Sequence, residues 1–107
     1  MKQEMQTALE AVKEVMIEDY MRFMPENERM QTEFIEGLAV KEGQKYIKIL
    51  QRNSVCGFVV NTETDKKFKY GDILKAAGGA APARNAARGN VFTNLGWVQW
   101  TGPAYLK

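Results

Sequence analysis

The 107-residue chain contains no histidine, and that absence excludes more chemistry than any residue present suggests. Without an imidazole there is no Ser-His-Asp or Cys-His machinery, no histidine-based zinc site and no general base that titrates near neutrality unaided. Cysteine is nearly absent too. Cys56 stands alone inside the apolar run Val55 to Val60, where a buried free thiol is expected rather than a nucleophile or a bridge, and a reducing compartment suits it. Proline and glycine are too few for a fibrous or disordered class. Long apolar runs are missing as well: nothing approaches the roughly 20 residues a membrane crossing needs. The opening MKQEMQTALEAVKE is too acidic and too interrupted for a secretory leader, so a soluble, cytoplasmic protein is expected.

Acidic residues are scarce in one part of the chain only. Residues 1–37 hold nine Asp/Glu and four Lys/Arg, whereas residues 38–107 hold four and eleven. Beyond Glu42 the carboxylates are Glu63, Asp65 and Asp72, and no sheltered pair that would raise a carboxyl pKa is announced. No catalytic residue, metal ligand or cofactor site is therefore assigned. An acidic front joined to a basic body marks either a polyanion-binding surface or two parts that pack on each other.

What is present is a strong helical period. At 100° per residue, Met1, Met5, Ala8, Leu9, Val12, Met16, Tyr20 and Phe23 share one stripe, the width of a core-facing face, and Pro25 stops the pattern. A helix is expected over residues 2–24. Ile17, Met21 and Met24 form a second apolar line, explained either by cover from the segment after Pro25 or by a helix-mediated dimer.

Downstream, Phe34, Leu38 and Val40 alternate, Lys41 to Gln44 offers a turn, and KYIKILQ is rich in strand formers; this predicts strands at 33–40 and 45–52. Arg52-Asn53-Ser54 turns the chain into VCGFVV, a run of the type that is buried on both faces or lies centrally in a sheet. Asn61 to Asp65 reads as a turn and KKFKY as a further strand, completing a meander of about four strands. Asp72 suits the cap of a short helix ILKAA ending at Gly78-Gly79, the segment 82–89 suits another helical turn or two, and WVQWT suits a last strand.

The expected fold is α+β: the N-terminal helix laid across a four- to five-stranded antiparallel sheet, with short helical turns in residues 72–89, the whole chain 1–107 forming one domain. The core joins the helix stripe to Phe34, Ile47, Ile49, Val59, Phe68 and Tyr70.

Candidate binding residues fall in two groups. Arg84 and Arg88, four apart on a helix, would present two guanidinium forks to phosphate or carboxylate; equally they would be solvated or pair with the acidic helix. Lys48 with Arg52, and Lys67 with Lys69, would each share a strand face and, interleaved with Tyr46, Trp97 or Trp100, could hold nucleic acid; alternating lysines are also how a half-buried strand meets water. Trp97 and Trp100, three apart, would point to opposite faces of a strand. The tract AAGGAAPA lacks the spacing of a phosphate loop.

The segments GQKYIKIL, GFVV, KFKYGDILKAA, APARNAARGNVF and VQWTGPAYL, in that order, resemble small uncharacterised proteins encoded by tailed bacteriophages, marine phages among them. The resemblance covers about residues 43–106 and omits the N-terminal helix. It implies expression in an infected bacterial cytoplasm and carries over no catalytic residues. Two functions are therefore expected: a non-enzymatic accessory or interaction protein that meets a second copy or a protein partner through Ile17, Met21, Met24 or Trp100, or a nucleic-acid-binding module using Lys48, Arg52, Lys67, Lys69, Arg84 and Arg88.

Overall fold

The computed structural model describes residues 1–104; the last three residues of the WVQWTGPAYLK segment lie outside the described residues. Helix α1 spans Gln3–Phe23. Its buried residues are Met5, Ala8, Leu9, Val12, Met16 and Tyr20, the interior of the stripe read from the sequence, while Phe23 at its end is exposed. No helix among the described residues is long and apolar enough to cross a membrane.

The strand expected at 33–40 begins only at Leu38, because residues before it form a second helix, α2, Glu28–Gly37. Asn27 caps it, its side chain accepting a hydrogen bond from the Met30 amide at 3.1 Å, and Glu28 places negative charge in the first turn. Met30 and Phe34, one turn apart, then face inward against the core. Phe34 fits an alternating and a helical pattern equally, and the cap decides between them.

Strands β1 (Leu38–Glu42), β2 (Tyr46–Gln51), β3 (Ser54–Val60) and β4 (Ile73–Lys75) form an antiparallel sheet in sequence order. The β2–β3 link is the two-residue turn Arg52-Asn53, with φ of 48° and 68°, the left-handed geometry that a tight hairpin requires. The fourth strand is not KKFKY. The Asp65 carboxylate accepts from the Lys67 and Phe68 amides and the Asp72 carboxylate from the Lys69 amide, so side chains occupy the donors that a ladder would need. The edge of β3 is taken instead by ILK, where a helix was expected. Segment 82–89 is likewise no helix: it runs alongside β4, Ala83 donating to the Lys75 carbonyl and Arg88 to the Ile73 carbonyl. The last expected strand is broken into a small hairpin, β5 (Val98–Gln99) and β6 (Gly102–Pro103). Gly102 turns it with φ 109°, and Gly57 admits it, since a Cβ there would lie 2.8 Å from the Pro103 ring.

The sheet is apolar on both faces. On the inner face Ile47, Ile49, Val59 and Ile73 pack with α1, α2, Val91 and Val98. On the outer face Phe58, Val60 and Leu74 pack with Phe68, and Ala87 lies against them. The expected core is thus divided: Phe68 belongs to the outer cluster and Tyr70 to the margin of the inner one. A bulge in β3 serves this division: Ile49 faces Gly57 and Leu50 faces Val55, leaving Cys56 unopposed.

Met16 is fully buried in this seam. Met16→Ala should lower stability by about 2–5 kcal/mol, read as a shifted urea midpoint, whereas exposed Glu14→Ala should change it by less than about 0.5 kcal/mol.

Candidate functional site

Two features of the surface have the geometry of binding sites. The first lies where the end of α1, α2 and the β5–β6 hairpin meet. The main chain of Trp100 is held on both sides: its amide donates to the Asp19 carboxylate at 2.9 Å, and its carbonyl accepts from the Gln51 side chain. This sets the indole edge-on to Tyr20 and Phe34, with centroids 5.2 and 6.2 Å away, while Tyr20 and Phe34 stack face to face at 4.2 Å. Phe23 lies over Trp100 at 4.8 Å yet remains 56% exposed. Beside these rings opens a hollow of about 370 Å³, lined also by Met24, Met30, Gln51 and Arg52. Ion pairs of both signs stand nearby, Arg52–Glu33 at 2.6 Å and Arg22–Asp19 at 3.3 Å.

The sequence named Ile17, Met21, Met24 and Trp100 as an interaction surface; the fold brings Met24 and Trp100 together at the hollow and leaves Ile17 and Met21 out of its lining. Ile17 and Met24 pack against the core, and α2 closes over Met24, whose carbonyl accepts from the Gln31 side chain at 2.7 Å. Met21 is half-buried. Trp100 lines the hollow and Trp97 is exposed. Phe23, which the helical stripe assigned to the core, is the residue the sequence misplaced: it occupies the last helical turn, beyond the cover that the sheet provides.

The second feature is the outer face of the sheet. The cationic residues picked from the sequence do not assemble there as a set. Arg52 lies in the β2–β3 turn and is engaged by Glu33 of α2, so it does not share a face with Lys48. Lys67 and Lys69 belong to a loop, and the Lys67 ammonium donates to the Arg84 carbonyl. Arg84 and Arg88 share no helical face. Arg84 reaches over the Phe68 ring to Asp65, at 2.9 Å, and to the Tyr46 hydroxyl. Arg88 is only 3% exposed, one terminal nitrogen donating to the Asn85 side chain and the Ala86 carbonyl while its Nε is enclosed without an acceptor. It is a structural group, closed to a surface ligand. Conversely, the sequence passed over Lys41, which sits directly opposite Lys48 across the β1–β2 ladder; assigning residue 41 to a turn hid that pairing.

The Arg84 guanidinium, with the Phe68 and Lys67 amides, holds the Asp65 carboxyl well below the usual carboxylate range. Burial pushes the Cys56 thiol up to about 11, and it donates to the Ile49 carbonyl rather than facing solvent. Both groups are fixed in one protonation state at neutral pH, as structural groups are. No cluster of three potential metal ligands occurs among the described residues. No family model, curated protein or solved structure matches the chain.

A depressed carboxyl pKa stabilises the fold above the unfolded value of about 4 and loses that effect as pH falls toward the folded value. Stability should therefore decline on acidification below about pH 4, and Asp65→Asn should flatten that limb of a stability–pH profile while lowering the neutral plateau. Cys56 should resist alkylation in the native state at neutral pH and react readily in denaturant, as thiol titration would register.

Proposed function

We propose that this chain is a small non-enzymatic interaction protein that associates with a second copy of itself through the aromatic hollow. The bacterial cytoplasm implied by its resemblance to phage proteins is the proposed setting. The observation that carries the reading is Phe23: a ring more than half exposed at the lip of an apolar hollow. A protruding ring and a hollow side by side on one copy make a surface that is complementary to itself across a two-fold axis, each copy giving and receiving. The neighbouring ion pairs carry both signs, so facing copies meet opposite charges.

Magnitude sets the strength. Burying an aromatic side chain removes roughly 150–250 Å² from water, and two such rings fall short of the about 1,000 Å² that a stable interface needs. The association is therefore weak and concentration-dependent, a reversible contact rather than a permanent dimer.

Sedimentation velocity over a wide concentration range should show a monomer–dimer equilibrium. Phe23→Glu, at an exposed position, should leave the circular dichroism spectrum unchanged and give a monomer throughout. A wild-type chain that stays monomeric at the highest concentration, or a Phe23→Glu chain that associates as before, would overturn the reading.

A further inference from the structure

The charge that the sequence divides along the chain is divided in space across the sheet. Helices α1 and α2, with most of the acidic residues, cover the inner face, and the outer face is left to the basic part. Two open depressions lie on that outer side. One, of about 600 Å³, is lined by Lys41 and Lys48 over a floor that includes Leu50 and Val55. The other, of about 500 Å³, is lined by Lys45, Lys66 and Arg84 among threonines. Tyr46 and Lys48, alternate residues on the same face of β2, join the two. Asp65 is the one carboxylate among the described residues lining either depression, and its charge is already taken by Arg84.

Lys41 and Lys48 are the decisive pair. Like charges directly opposite on neighbouring strands repel, and among the described residues neither lysine has a carboxylate or hydrogen-bond partner to relieve it. An anion seated between them removes that repulsion. We propose that the outer sheet face binds single-stranded nucleic acid, with backbone phosphates held by Lys41 and Lys48 and the strand continuing past Tyr46 toward Lys45 and Lys66. A groove that tracks the backbone beside an aromatic ring is the arrangement that suits a flexible strand. A duplex is a stiff rod and would touch the lysine tips without entering the depressions. This surface lies across the sheet from the aromatic hollow, so the two proposals stand or fall separately.

The test is fluorescence anisotropy with a labelled oligo-dT of about 16 nucleotides, a duplex of equal length, and a salt series. Binding should be measurable at low salt and weaken as salt rises. Lys41→Gln with Lys48→Gln should cause a several-fold loss of affinity and reduce the salt slope by about one per lysine, while Lys13→Gln on α1 changes nothing. The double variant should melt no lower than wild type, because it relieves a repulsive pair, which separates lost binding from lost fold. Absence of binding at low salt, an equal loss in Lys13→Gln, or duplex bound as tightly as the single strand would overturn the proposal.

Discussion

Strand β3 is the element on which the rest depends. Phe58 and Val60 point to one side of the sheet and Cys56 and Val59 to the other, and the residues from Gly57 to Val60 are all buried. Such a strand requires two covers, since an apolar face left in water forfeits roughly 25 cal/mol for each Å² it keeps exposed. The inner cover is α1, α2 and the β5–β6 hairpin. The outer cover is thinner, built from Phe68, Ala87 and the loops that carry them.

Each cover is fastened by a carboxylate from far along the chain or across a loop. Asp19 of α1 receives the Trp100 amide, 81 residues away, and so joins helix and hairpin. Asp65 ties its own loop through two amides and reaches the 81–89 segment through Arg84. Both carboxylates accept hydrogen bonds from separate segments, Asp19 from the Arg22 side chain and the Trp100 amide, Asp65 from the Lys67 and Phe68 amides and the Arg84 side chain.

The thinner outer cover leaves room that the inner one does not. Beyond Phe68 and Ala87 the outer face of β1 and β2 stays open at Lys41, Lys48 and Leu50, while on the inner side a corner at Phe23 and Trp100 is incompletely closed. One surface is cationic and the other aromatic, on opposite sides of one sheet.

The order of residues by itself determined α1 and the β2–β3 hairpin, and narrowed β3 to a strand buried on both faces or central in the sheet. A 3.6-residue period sustained over 21 residues admits no competing reading, and the tight turn at Arg52-Asn53 pins the register of its flanking strands. Helix α2 was not read from the sequence, because Phe34, Leu38 and Val40 alternate as well as any strand; the Asn27 side-chain cap that starts it is seen in the fold. Tertiary structure alone decided the rest. Three residues of ILK become β4 because the free edge of β3 offers hydrogen bonds that an isolated short helix cannot match. Arg84 and Arg88 part company because Asp65 captures one while the other is enclosed beside β4. Lys41 meets Lys48, and Phe23 escapes the core, through long-range register and the limited reach of the sheet. Local pattern states what a segment prefers, and only the neighbour that arrives from elsewhere in the chain settles which preference is satisfied.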